Sequence, residues 1–149
     1  MPNIVDVTYE QTGRSTSVNK YGMREMQERA FEARNAQYLL LKAPPASGKS
    51  RALMFIALDK LINQGLSKAI IAVPEKSIGG SFDSVELSKF GFFADWTVEP
   101  RNNLCTPGGD KSKVQAFINF LKNDAKILIC THATLRFAFE ALEESEFDN

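Results

Sequence analysis

Short apolar runs alternate along the chain with longer segments in which apolar residues recur every three or four positions. The runs YLLLK (38–42), AIIAV (69–73) and KILIC (126–130) are too short for stable helices, and their apolar content indicates buried strands. Pro44 and Pro45 end the first run at a turn. Residues 96–105 form a weaker strand candidate. The pattern thus predicts at least three short strands in the body of the chain.

Four longer segments are typical of helices. Residues 23–35 are rich in helix formers and place apolar side chains at helical spacing, and residues 50–63 do the same over about four turns, with Gly65 where a C-terminal cap would lie. Two further helices are predicted, one through residues 114–121 with Asp110 or Ser112 as its cap, and one through residues 135–142 starting at Thr131 or Thr134.

Strands that alternate with helices predict an α/β fold with a mostly parallel sheet flanked by helices. Residues 1–20 begin with a short alternating apolar stretch and continue into the polar segment QTGRSTSVNK, so we expect an N-terminal strand or arm followed by a loop. Residues 21–149 are expected to form the domain itself.

Composition narrows the choice of function. The chain has 149 residues, of which 44% are hydrophobic, which is enough for one domain with a real core. Its 18 basic and 18 acidic residues cancel, so any contact with nucleic acid must be local.

Cys105 and Cys130 stand in apolar stretches without metal-ligand spacing, which predicts buried reduced thiols. No segment has the length of a membrane span or the pattern of a signal peptide, so we expect a cytoplasmic protein without a membrane partner.

The sharpest chemical signal is the loop APPASGKS (43–50) between a predicted strand and a predicted helix. In that context backbone N–H groups and the helix N-terminus can bind phosphates, Lys49 can reach the outer phosphates, and the Ser50 hydroxyl can ligate Mg²⁺. Against the general pattern GxxxxGK[ST], Ala43 replaces the first glycine. A positive φ at Ala46 would cost about 1 kcal/mol relative to glycine. Because the strand before the loop, the helix after it and Gly-Lys-Ser are all present, we still expect the loop to bind ATP with Mg²⁺.

These residues resemble the first RecA-like motor domain of superfamily two helicases, which include DEAD-box helicases and the translocase subunits of type I and type III restriction enzymes. APPASGKS resembles their motif I. Upstream, YGMREMQERA is similar to the family's Arg-x-x-Gln-x-x-Ala segment, which implies that Gln27 reads the adenine edge, with Arg24 and Tyr21 beside the base. A glutamine amide both donates and accepts hydrogen bonds, as adenine recognition requires.

Three downstream segments extend the resemblance in the family's order. AVPEKSIGGS after the second strand resembles motif Ia, TPGG (106–109) resembles the Thr-x-Gly-Gly element, and THATL after KILIC resembles the Thr-Pro-Gly-Arg-Leu element, with Thr131 and Leu135 matching. The carboxyl ends of parallel strands are where open α/β sheets bind ligands, so these loops are expected to contact a DNA or RNA backbone.

The resemblance implies a complete set of site residues. Lys49 is the expected catalytic residue and Ser50 the expected metal ligand. Residues expected to bind the nucleotide are Gln27, Ala46, Ser47, Gly48, Lys49, Ser50 and Arg51. Residues expected to contact nucleic acid are Pro74, Glu75, Lys76, Ser77, Gly108, Gly109 and Thr131.

The Asp-Glu motif that holds magnesium in this family is not evident. The run FFAD (92–95) is the candidate outside the phosphate-loop helix, because its apolar residues lead directly into an acid. The chain is therefore expected to be an incomplete RecA-like P-loop domain, truncated before the Asp-Glu motif and not catalytically competent alone, with the rest of the motor in a parent protein. A nonenzymatic nucleotide-binding module and a small-molecule P-loop kinase remain alternatives.

Overall fold

The computed structural model describes residues 4–8 and 18–142, so most of the predicted loop QTGRSTSVNK (11–20) and the tail at 143–149 lie outside the described residues. The strands and α-helices, in chain order, are β1 (Ile4–Thr8), α1 (Glu25–Glu32), β2 (Tyr38–Lys42), α2 (Lys49–Ile62), β3 (Ala69–Val73), α3 (Asp110–Lys122), β4 (Ile127–Thr131) and α4 (His132–Ala141). Three short 3-10 helices lie at Lys76–Phe82, Leu87–Phe90 and Pro100–Asn102.

The chain divides into two compact units. Among the described residues, the first unit comprises 4–8, 18–59 and 86–95, and the second comprises 60–85 and 96–142. Each unit contains one two-stranded parallel sheet, β1–β2 in the first and β3–β4 in the second. The mixed α/β class and the parallel pairing are confirmed, whereas the described residues form two short sheets and not one broad sheet.

In the first unit, β1 and β2 pair in register from Ile4 opposite Tyr38 to Thr8 opposite Lys42. The prediction that residues 38–42 form a strand is correct, but the prediction that the strand is buried is wrong. Its side chains alternate between exposed and half-buried, and Tyr38 and Leu40 are 53% and 49% exposed. These two side chains lie on the exposed face of β2, because successive side chains of a strand point to opposite sides and only the other face of this strand is half-buried.

Aromatic rings form much of the interior of the first unit. The Phe92 ring lies 4.7 Å from the Phe55 ring of α2 and 6.1 Å from the Phe31 ring of α1, measured between centroids. Tyr21 packs edge-on against Phe92 at 5.8 Å. These contacts hold α1 and α2 in the same core, which positions the start of α1 near the loop that precedes α2.

In the second unit, β3 and β4 pair in register from Ala69 opposite Ile127 to Val73 opposite Thr131. Every residue of β4 is buried, as predicted for KILIC, although the strand runs one residue further along the chain than predicted. The core around it is formed by α3, α4 and the segment before α3, and its buried members are Leu104, Phe117, Phe120, Leu128, Cys130 and Ala138.

Two local predictions were wrong. Residues 96–105 form no strand, because Pro100 has no N–H to donate to a ladder and starts a 3-10 helix; only isolated bridges pair Val85 with Trp96 and Asn103 with Ile129. Helix α3 starts at Asp110, but its N-cap is Gly109, without a side-chain cap. The Ser112 hydroxyl instead donates to the Gly109 carbonyl at 2.9 Å.

Both cysteines are free thiols, Cys130 buried and Cys105 half-buried. Burial raises the pKa of Cys130 to about 12, and the neighbouring Cys105 adds to that rise. The thiolate of Cys130 is therefore scarcely populated at neutral pH, as expected of a core thiol. Within the described residues, no helix is both long enough and apolar enough to cross a bilayer.

Candidate functional site

The loop between β2 and α2 has a backbone shape that two left-handed residues create. Ala46 has φ +61°, and Gly48 has φ +93°. Between them Ser47 is buried, and its N–H and hydroxyl both donate to the Pro44 carbonyl, at 3.3 and 2.6 Å. The positive φ considered for Ala46 is thus present, so the loop carries backbone strain at the only described non-glycine residue with a positive φ.

Helix α2 begins at Lys49, directly after this turn. The first four N–H groups of an α-helix have no intrahelical acceptor, and the helix dipole adds partial positive charge at the same end. Lys49 and Ser50 are the first two residues of α2, and the Lys49 residue is exposed whereas Ser50 is half-buried. Such a set of donors fits the phosphates of a nucleotide and, through Ser50, a magnesium ion.

The start of α1 is hydrogen-bonded to the carbonyl groups of this loop. The Gln27 Nε2 donates to the Gly48 carbonyl at 3.1 Å, and an Arg24 guanidinium N–H donates to the Ala46 carbonyl at 3.2 Å. The Gln27 Oε1 accepts from the backbone N–H of Arg24 at 2.7 Å. The structure therefore brings Gln27 and Arg24 to the predicted phosphate loop, but attaches them to the protein's own backbone.

Arg51, an expected nucleotide-binding residue, and Asp95, the acid considered for magnesium, each contact another residue of the first unit. The guanidinium of Arg51 lies over the Phe90 ring, 5.1 Å from its centroid. Asp95, the acid at the end of FFAD, does not lie at a strand end, and its carboxylate accepts from the Ser88 N–H at 2.9 Å. That hydrogen bond lowers the pKa of the exposed Asp95 carboxyl.

In the second unit, the segments after β3 and β4 leave the sheet at the same edge, because Val73 and Thr131 are paired at the strand ends. Pro74, Glu75, Lys76 and Ser77 follow β3, and all four are exposed. The 3-10 helix Lys76–Phe82 then packs against the segment before α3: a Cβ atom on Gly79 would lie 2.4 Å from the Cys105 Cβ, so only glycine fits there.

This packing brings the TPGG segment to the same edge. Gly108 and Gly109 are exposed, and Gly108 has φ +147°, a conformation that favours glycine. Burial raises the pKa of Cys105, while the nearby ammonium groups of Lys113 and Lys76 counteract that rise. The positive charges of Lys76, in the 3-10 helix after β3, and of Lys113, in α3, therefore lie close to Cys105 at this edge of the sheet.

Lys113 is a residue that the sequence analysis missed. Its side chain is buried, and its ammonium donates to the Thr106 carbonyl, which anchors the TPGG segment to the first turn of α3. In the sequence it stands in the polar run DKSK, which looks like a solvated helix start. The sequence carries no signal of this contact, because the contact depends on how the TPGG segment folds back on α3.

Thr131 differs from the other predicted nucleic-acid contacts. It is buried, and its hydroxyl caps α4 by accepting from the Thr134 N–H at 3.2 Å. This confirms Thr131 as a helix cap. The loops at 74–77 and 108–109 expose their residues at the sheet edge, whereas Thr131 uses its side chain within the fold.

A strand, a tight loop ending in Gly-Lys-Ser and a helix thus define a candidate phosphate-binding site of the P-loop class. Over its whole length the chain is 65% identical to a protein of Bacillus subtilis (strain 168) named "Putative ATP-dependent helicase YeeB". The chain spans 25% of that relative's length. No protein-family model and no solved structure matches the chain.

Proposed function

We propose that this chain is the ATP-binding part of an ATP-dependent nucleic-acid helicase or translocase of superfamily two, with a RecA-like fold over residues 21–149. The observation that carries the proposal is the loop between β2 and α2, with positive φ at Ala46 and Gly48 and with Lys49 at the first helical position. The name of the relative, which refers to ATP and to helicase activity, agrees with it.

In this proposal the loop from Ala46 to Arg51 binds the triphosphate. Its N–H groups and the dipole of α2 stabilise the anionic oxygens, and the Lys49 ammonium stabilises charge on the phosphoryl group that is transferred. The Ser50 hydroxyl would hold Mg²⁺, which would offset phosphate charge. Gln27 belongs to the same site through its hydrogen bond to the Gly48 carbonyl.

The proposed nucleic-acid contact is the sheet edge formed by residues 74–77 and 108–109. These residues are exposed, and Lys76 supplies positive charge. Backbone N–H groups at glycines approach phosphates closely, and such contacts position a strand without reading its sequence. Thr131 takes part by fixing the start of α4 behind this edge.

Because the chain spans a quarter of its relative, hydrolysis, translocation and unwinding are proposed for a longer protein. The rest of that motor would supply the Asp-Glu motif and the second RecA-like domain. A cytoplasmic location is part of the same proposal.

The test is direct binding of MgATP to the 149-residue chain by isothermal titration calorimetry. Lys49→Ala should weaken the affinity at least tenfold, because a charge-assisted contact to phosphate is lost. Lys122→Ala is the matched control, since it removes one exposed positive charge at the end of α3, 73 positions after Lys49. The affinity of this variant for MgATP should stay within about twofold of that of the parent chain. Equal affinities for all three proteins, or no binding by any of them, would overturn the proposal.

A nonenzymatic nucleotide-binding module is the second candidate, and the contacts of Asp95 favour it. That carboxylate is bound to the Ser88 N–H, away from any described strand, so it is poorly placed to hold magnesium. We expect the chain to bind MgATP without multiple-turnover hydrolysis. Phosphate release that Lys49→Ala abolishes would contradict this expectation and would favour a complete enzyme.

A further inference from the structure

The side chain of Gln27 is almost fully enclosed, with 3% of its surface exposed. Its amide oxygen accepts from the Arg24 N–H at 2.7 Å, and its amide nitrogen donates to the Gly48 carbonyl at 3.1 Å. Reading a base edge requires both amide groups to face the ligand. Turning the amide toward a base would break both of these hydrogen bonds, which removes this acceptor from the Arg24 N–H and leaves the Gly48 carbonyl with the Ala52 N–H of α2, at 3.1 Å.

The carbonyl groups held by α1 are those of the two left-handed residues in the loop. Arg24 bonds the Ala46 carbonyl at 3.2 Å, and Gln27 bonds the Gly48 carbonyl. Ala46 has a φ of +61°, a conformation that a non-glycine residue adopts only when its surroundings enforce it, whereas Gly48 adopts its φ of +93° without that cost. The hydrogen bond from Arg24 supplies this enforcement at Ala46 from outside the loop.

The fit between Gln27 and the loop is tight. A Cβ atom built on Gly48 would lie 2.4 Å from the Gln27 Nε2, so a side chain at position 48 would displace the glutamine. Glycine at position 48 therefore allows the left-handed turn and also the close approach of Gln27. Both features serve the shape of the loop.

We propose that Gln27 is a positioning residue for the phosphate loop and does not select adenine. Together with Arg24, it holds the loop carbonyls toward α1 and leaves the N–H groups at the start of α2 directed to the phosphates. This inference rests on the proposed nucleotide site and specifies what that site recognises. The loop binds the triphosphate, and Gln27 contributes equally to the binding of every nucleoside triphosphate.

The experiment measures dissociation constants for MgATP, MgGTP and inorganic tripolyphosphate with magnesium. Gln27→Glu is the principal variant, because its carboxylate still accepts from the Arg24 N–H but cannot donate to the Gly48 carbonyl. Its added negative charge also weakens the binding of every anionic ligand, so the deciding readout is the ratio of ATP to GTP affinity, which that charge leaves unchanged. The variant should weaken all three ligands by the same factor, about three- to tenfold, and leave the ratio of ATP to GTP affinity within about twofold of the parent.

A second variant protects the test against a folding defect at the enclosed position 27. Arg24→Met removes the side-chain donor to the Ala46 carbonyl, together with its positive charge, at a half-buried site, and it should also weaken the three ligands while leaving the ratio of ATP to GTP affinity unchanged. Gln115→Glu on the exposed surface of α3 is the matched control, and it should change none of the affinities. Far-UV circular dichroism checks that each variant is folded.

The outcomes separate the two proposals. A Gln27→Glu protein that loses affinity for ATP but keeps its affinity for GTP and tripolyphosphate would show base selection and overturn the inference while the nucleotide site stands. Unchanged affinities for all ligands in both Gln27→Glu and Arg24→Met would also overturn it. If the parent chain binds none of the ligands, the proposed site itself fails, and the inference fails with it.

Discussion

Ala46 carries the main backbone strain of the candidate site. Its φ of +61° places the Cβ close to the following carbonyl, which costs about 1 kcal/mol relative to glycine. The carbonyl of Ala46 is held by Arg24, so folding of the surrounding residues offsets that cost. Strain that persists at a single loop residue is typical of a functional segment.

Replacing Ala46 by glycine should therefore not weaken the fold. Ala46→Gly removes the Cβ clash, so the free energy of unfolding should stay unchanged or rise by up to about 1 kcal/mol, although glycine gains entropy in the unfolded chain. Ala43→Gly is the control, since Ala43 has a negative φ, and it should lower the free energy of unfolding by about 0.5–1 kcal/mol. Urea denaturation measures both, and equal losses would show that position 46 is unstrained.

The sequence allowed this strain to be considered but could not establish it. Gly-Lys-Ser after a strand predicts a phosphate loop by local spacing alone. The contacts of Arg24 and Gln27 with the loop, in contrast, join residues 21 to 22 positions apart and depend on how α1 packs. The burial of Lys113 was missed for the same reason, because the polar run DKSK contains no sign of the Thr106 carbonyl that it reaches.

At the scale of elements, the helices of the first unit are linked by a buried ion pair. The Arg34 guanidinium, just after α1, lies 3.1 Å from the Asp59 carboxylate on α2, and the Asp59 side chain is 6% exposed. The Arg34 guanidinium also lies over the Phe31 ring, with its Cζ atom 4.3 Å from the ring centroid. Breaking a buried pair leaves an uncompensated charge, which destabilises far more than loss of an exposed pair.

Asp59→Asn should lower the free energy of unfolding by about 1–3 kcal/mol, a range reduced from the fully buried case because Arg34 remains one third exposed. Asp6→Asn is the matched control. It breaks the exposed Asp6–Lys42 pair between β1 and β2 and should cost less than about 1 kcal/mol. Chemical denaturation of the two variants compares them, and a larger loss for Asp6→Asn would contradict the ranking.

Periodicity located most elements but not their surroundings. It gave the bounds of β2 and β3 and the approximate bounds of the four helices, because apolar spacing is a local property of the chain. It misjudged the burial of β2, because an apolar run does not reveal whether both faces of the strand are covered, and Tyr38 and Leu40 lie on the exposed face. Residues 96–105 failed as a strand because Pro100 and the buried Trp96 fix that segment by other contacts.

At the scale of the whole molecule, formal charge is zero, so electrostatic attraction to nucleic acid has to come from a few positions. The exposed Lys76 at the sheet edge of the second unit is the clearest of them. A protein with few phosphate contacts releases few counterions when it binds. For single strands, the logarithm of its binding constant falls with the logarithm of the salt concentration by a slope of only about −0.7 for each phosphate contact.

Lys76→Ala should weaken the binding of a fluorescent single-stranded oligonucleotide about equally for all sequences, and it should reduce the salt slope by about 0.7. Lys122→Ala again serves as the control for the loss of one positive charge. Fluorescence anisotropy over a series of salt concentrations measures both slopes. A slope that Lys76→Ala leaves unchanged would remove the 74–77 loop from the proposed nucleic-acid contact.

The hydrogen bonds from α1 to the phosphate loop span 21 and 22 positions of the chain, so the loop depends on the folded first unit for its shape. A peptide containing only β2, the loop and α2 would lack them. A ligand of the loop then binds the folded state alone, and its binding energy adds to the stability of the fold. Saturation at 100 times the dissociation constant would contribute about 2.7 kcal/mol, so nucleotide should raise the melting temperature of the chain.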